Sequence, residues 1–98
     1  MDATVSILIV EDAPTQAEQL KAILEEQSFL VSIAKDGLEA SKMVSTLATQ
    51  PSLVISDIVM PKMNGYELCE TLKSNPKSSH IPIILLTSVS EVRRIIGI

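Results

Sequence analysis

Near the start of the chain, Ile7-Leu8-Ile9-Val10 forms an unbroken apolar, largely β-branched run, entered through Ser6. A run this short does not sustain a helix of its own, and its lack of polar alternation leaves no face for water. It predicts a strand buried on both sides, the kind found in parallel sheets. Two further runs share the character, Leu53-Val54-Ile55-Ser56 and Ile81-Pro82-Ile83-Ile84-Leu85-Leu86. Pro82 is tolerable near a strand's beginning, where a ladder donor can be spared. Phe29 to Ala34 is a weaker strand candidate, broken by Ser32 as an edge strand can be.

Amphipathic segments alternate with these runs. After Ala13-Pro14, with Asp12 as the expected cap, Ala17, Leu20, Ile23 and Leu24 recur at helical spacing up to about Gln27. Leu38 to Thr49 places Ala40, Met43, Val44 and Leu47 on one face. Tyr66 to Lys73 turns Leu68, Cys69 and Leu72 inward, with Cys69 read as a small core residue. Ser74 to Ser79 is a polar loop, and Val89 to Ile98 reads as a last helix. Strand followed by helix, repeated, predicts an α/β fold with a parallel sheet, helices on both faces and right-handed crossovers.

The 98 residues suit one domain, 1–98, with a modest core. Phe29 and Tyr66 are the only aromatic residues, so the core is aliphatic and base-stacking platforms are not expected. A net charge of −4 argues against nucleic acid or anionic membrane as a partner. Cys69 stands alone, the N-terminus lacks a cationic leader, and no apolar run approaches the ~18 residues of a membrane span. A soluble, cytoplasmic protein is expected.

In a sheet of this kind ligands gather at the carboxyl ends of the strands. Glu11 and Asp12 follow the first strand, Asp57 the third, and Thr87 and Ser88 the fourth. In the flavodoxin-like order 2-1-3-4, strands one, three and four are neighbours, so these residues share one rim. Lys35-Asp36, after the second strand, falls to the side. Three carboxylates together repel one another, and a hard divalent cation relieves that repulsion; an all-oxygen set suits Mg²⁺. A carboxylate beside such an ion can serve as nucleophile towards phosphorus, with Thr87 hydrogen-bonding the transferred group. Each residue also has a plain alternative: Glu11-Asp12 as a helix cap, Asp57 as a strand-ending acid, Thr87 as a cap. Met60 and Met63 read as loop packing, and His80 has no visible catalytic partner.

The motifs Ile7-Leu8-Ile9-Val10-Glu11-Asp12, Asp36-Gly37 with Glu39-Ala40, Ser56-Asp57-Ile58-Val59-Met60-Pro61-Lys62-Met63-Asn64-Gly65 and Ile81-Pro82-Ile83-Ile84-Leu85-Leu86-Thr87 together resemble response-regulator receiver domains of the chemotaxis-regulator type. The resemblance spans essentially the whole chain. It implies a flavodoxin-like three-layer sandwich and a phosphoacceptor in a two-component phosphorelay, with Asp57 taking a phosphoryl group from a histidine kinase or phosphotransfer protein. It implies Mg²⁺ held by Asp12, Asp57, the carbonyl of Val59 and, through water, Glu11. Thr87 would be the switch hydroxyl, and the backbone amide of Ser88 would bind phosphoryl oxygens. Such a module phosphorylates itself but is not an enzyme in the turnover sense, and its output passes through a protein target that the chain does not name.

The family pattern continues with a fifth strand, a Lys-Pro pair and a fifth helix, which have no counterpart here; every lysine precedes Thr87. The expectation is a receiver domain that stops before its phosphate-binding lysine, with an apolar fourth strand at a sheet edge and a homodimer formed through that edge or by exchanged elements. A degenerate receiver acting as an unphosphorylated interaction module is the competing reading. An aspartate-nucleophile phosphohydrolase fits poorly, since Val59 stands where its second acid belongs. Neither a P-loop nor a phosphate loop of the flavin-binding type is present.

Overall fold

The computed structural model describes residues 5–46, 50–60 and 62–86. The elements run β1 (Ser6–Val10), α1 (Pro14–Glu26), β2 (Leu30–Ala34), α2 (Gly37–Thr46), β3 (Leu53–Asp57), α3 (Gly65–Ser74) and β4 (Ile83–Leu86). All strand pairs are parallel, as the alternating pattern predicts, and the sheet order is β2-β1-β3-β4, the flavodoxin-like order. The expected helix over Val89 to Ile98 lies outside the described residues, as do Leu47 and Pro61.

The unbroken apolarity of β1 has a direct structural meaning. Leu8 and Val10 point to one face, where they pack with Val54, Ala40, Val44, Leu68 and Leu72 from β3, α2 and α3. Ile7 and Ile9 point to the other, against Leu20 and Leu24 of α1 and Ile55 of β3. Successive side chains alternate across a strand, so a strand covered on both faces needs apolar residues throughout. The result is three layers with an aliphatic core on each side of the sheet. Each fully buried Leu or Ile contributes about 2 kcal/mol of transfer free energy.

α1 begins without the expected cap. Its N-cap is Ala13, which offers no side-chain acceptor, and Asp12 lies one residue too early. Pro14 partly substitutes, because a proline in the first turn has no N–H to leave unpaired. α1 ends where Ser28 adopts a left-handed conformation, φ 69°. This lets the Ser28 and Phe29 amides donate back to the Glu25 and Leu24 carbonyls. β2 consequently starts at Leu30, and it is the edge strand that its sequence suggested.

α3 has a stronger start. Asn64 accepts from the Glu67 amide at 2.8 Å, and Glu67 accepts from the Asn64 amide at 3.0 Å, a reciprocal capping box. Leu68 and Leu72 are buried as expected, whereas Cys69 is only half-buried. One residue along a helix is a rotation of about 100°, which carries Cys69 to the flank of the stripe begun by Leu68. The following turn is fastened from within: the Ser78 hydroxyl, fully buried, donates to the Leu72 carbonyl at 2.7 Å, and Lys73 donates to the carbonyls of Ser79 and Ile81. Ile81 is buried but precedes the strand. The ladder of β4 starts only at Ile83, after Pro82, whose carbonyl accepts from the Val54 amide at 3.0 Å. Among the described residues no helix is long and apolar enough to cross a membrane.

Candidate metal centre

Two neighbouring strands build the site. In the β1–β3 ladder Val10 lies opposite Ser56, so the next residues along each strand, Glu11 and Asp57, emerge side by side at the carboxyl edge. Asp57 is the final residue of β3 and is half-buried between β1 and β4, where it pairs with Leu86. Asp12 follows Glu11 and is exposed. One carboxylate oxygen from each of Glu11, Asp12 and Asp57 lies within 4.8 Å of the others. The convergence of three acids at one rim is thus present as the strand order required.

The electrostatics are those of crowded carboxylates. Burial pushes the Glu11 carboxyl above the ordinary carboxylate range, and the negative charges of Asp57 and Asp12 push the same way. A hydrogen bond from the Ala13 amide to Glu11 Oε1, 3.1 Å, works against them. Among the described residues the only ion pair joins Lys62 and Asp36, so no lysine neutralises the three acids. The donor set fits a hard divalent ion. It is all oxygen, it carries excess negative charge, and one oxygen from each residue lies within 4.8 Å of the others.

Below the acids the chain is tightly constrained. The Ile58 amide donates to the Leu86 carbonyl, and the Gly65 amide returns to the Ile58 carbonyl at 2.8 Å. Met60 is buried in the core and Met63 packs against it, which bears out their reading as packing residues. Between these anchors Val59 is 79% exposed, held out at the rim two residues after Asp57. Thr87 and Ser88 lie outside the described residues. His80 is an exposed loop residue.

In the sequence Asp36 and Lys62 stand out only as members of longer motifs. Asp36 is buried, accepts from the Glu39 amide at 2.8 Å to start α2, and faces Lys62 Nζ at 3.7 Å. The hydrogen bond from Glu39, and then the charge of Lys62, hold its carboxyl below the usual range. The spacing of Asp36 and Glu39 was a legible cap signal; the approach of Lys62 was not, because it crosses between separate loops.

Residues 7–97 match the family model described as the response regulator receiver domain. The chain belongs to that family. Among curated relatives, this receiver domain is 42% identical over 89 residues to "Histidine kinase P4" of Formosa agariphila and 35% identical over 83 residues to "Response regulator PleD" of Caulobacter vibrioides. It covers 89% and 85% of its own length in those matches, but spans only 6% and 18% of the two relatives. Among solved structures it resembles the signal receiver domain of a signal transduction histidine kinase from Syntrophus aciditrophicus. That match has 46% identity and a TM-score of 0.79, covering 95% of this chain and 71% of the other. Receiver domains of this kind occur within both histidine kinases and response regulators, as these relatives do, which fits a role in two-component signalling.

Proposed function

We propose that this receiver domain is a Mg²⁺-dependent phosphoacceptor that takes a phosphoryl group on Asp57 from a phosphohistidine of a histidine kinase or phosphotransfer protein. The observation that carries the reading is the convergence of Glu11, Asp12 and Asp57 within 4.8 Å at the end of β1 and β3. Asp12, Asp57 and the Val59 carbonyl would hold the ion, with Glu11 acting through water. When bound, the ion supplies positive charge that offsets both the crowded carboxylates and the incoming phosphoryl oxygens.

Asp57 is suited to the nucleophile's part by its position. It ends a central strand and is half-buried at the sheet's carboxyl edge. One of its carboxylate oxygens attacks the phosphorus. The N–P bond of the donor breaks, the imidazole nitrogen keeps the electron pair, and an acyl phosphate remains on Asp57. Thr87 is assigned the switch hydroxyl and the Ser88 amide a contact to the phosphoryl oxygens, both by family resemblance.

The test is treatment with acetyl phosphate and Mg²⁺, read by intact mass. A single phosphoryl adduct on the wild type, absent from Asp57→Asn and absent in EDTA, is expected. A folded protein that forms no adduct would favour the unphosphorylated interaction module instead.

A further inference from the structure

The β3–α3 loop, which begins after Asp57, is tied to the β2–α2 loop. Lys62, in the β3–α3 loop, adopts a left-handed backbone conformation, φ 67°, which a lysine rarely takes unless its surroundings hold it there. Its ammonium group stands 3.7 Å from Asp36 Oδ2, in the β2–α2 loop. The other oxygen of the same carboxylate accepts from the Glu39 amide, so Asp36 is itself fixed to the first turn of α2. The next residues on each side also meet: a β-carbon added to Gly37 would stand 2.8 Å from the Met63 carbonyl oxygen. The bare backbone at Gly37 therefore admits Met63, and the ion pair secures the residue before it.

We propose that Asp36 is a positioning residue for the acidic site, holding the β3–α3 loop, and with it Val59, through Lys62. The loop runs from Asp57 through Val59 to the capping box at Asn64. Its upstream end is fixed by the Ile58 hydrogen bonds and its middle by buried Met60. Lys62 is the point at which it is tied to α2, and Asp36 is the tie. The proposal rests on the reading of Val59 as a metal ligand, and it adds a residue from β2–α2 to a site otherwise drawn from β1 and β3.

Mg²⁺ titrated calorimetrically into the whole chain, together with amide NMR of the metal-free protein, tests this. Asp36→Asn keeps an acceptor for the Glu39 amide and removes only the charge; Lys62→Met removes the other partner. Each should weaken Mg²⁺ binding about threefold, the modest effect expected of one partly exposed pair. The double variant should be no weaker than either single, Lys62→Arg should bind as the wild type does, and the Val59 and Met60 amide resonances should move in Asp36→Asn. Equal affinity in the wild type, Asp36→Asn and Lys62→Met would overturn the positioning role while leaving the phosphoacceptor reading intact. A wild type that binds no Mg²⁺ would sink the phosphoacceptor reading. The amides then decide the tie separately: unmoved Val59 and Met60 resonances overturn it, and moved ones sustain it.

Discussion

Gly65 lies directly beneath Asp57. A β-carbon at position 65 would stand 2.5 Å from the Asp57 carbonyl oxygen and 3.0 Å from the Ile58 α-carbon. Both obstacles are backbone, so no side chain can swing away to make room. Gly65→Ala should therefore destabilise the fold by about 2 kcal/mol or more, the scale of forced overpacking. Urea unfolding monitored by far-UV circular dichroism measures it. An unchanged midpoint would mean that α3 does not approach the end of β3 this closely.

Crowding of the acids predicts an effect of opposite sign. Asp57→Asn removes one of three mutually repelling charges. In EDTA the variant should be more stable than the wild type, by about 0.5–1 kcal/mol for a partly solvated pair at this range. Added Mg²⁺ should then stabilise the wild type, by about 2.7 kcal/mol at a hundredfold excess over the dissociation constant, and the variant far less. Thermal unfolding with and without Mg²⁺ reads both effects in one experiment.

Asp36 sets an acid-side dependence. Its carboxyl is held below the ordinary value of 3.8, first by the Glu39 amide and then by Lys62. An acid with a depressed folded pKa binds its proton more readily when unfolded, so stability rises with pH across the interval between the two values. The contribution of Asp36 is fully present above pH 3.8 and is lost as the pH falls through the lower, folded value. Asp36→Asn cannot titrate, and its stability should fall less steeply below pH 3.8 than that of the wild type. Parallel acid limbs for the two proteins would contradict the pairing.

Ser28 offers a stabilising change. Its φ of 69° closes α1 in the conformation that glycine adopts without strain. Ser28→Gly should raise stability by about 1 kcal/mol, since the side chain is exposed and no side-chain hydrogen bond is lost. A lower thermal midpoint in the variant would count against the left-handed cap.

The parts of this structure that were legible in the sequence are those governed by local periodicity. The doubly buried character of β1 fixed the parallel sheet, and the spacing of Ala17, Leu20, Ile23 and Leu24 fixed the buried face of α1. Glu11, Asp12 and Asp57 were legible as a group because each ends or follows a run that could only be a central strand. Other features depend on approaches between distant segments. Ser78 sits in a stretch whose composition reads as an exposed loop, yet its hydroxyl is consumed inside the protein by the Leu72 carbonyl. The spacing of Cys69 with Leu68 and Leu72 reads as a core position, but the turn of the helix carries it to the flank. Asp12 looked like a cap because it precedes Pro14, whereas the break between β1 and α1 leaves it at the rim with the other acids.

The pairing of Val10 with Ser56 carries one further consequence. β1 and β3 bury alternate residues in two different clusters, so the core already favours this alignment, and the acids at the strand ends can add to that preference. A shift of one residue moves the strand ends by about 3.3 Å and turns every side chain to the opposite face. Glu11 and Asp57 would then no longer stand abreast. An ion that needs both acids rewards the aligned sheet and ignores the slipped one, so metal binding would act as a proofreader of strand alignment.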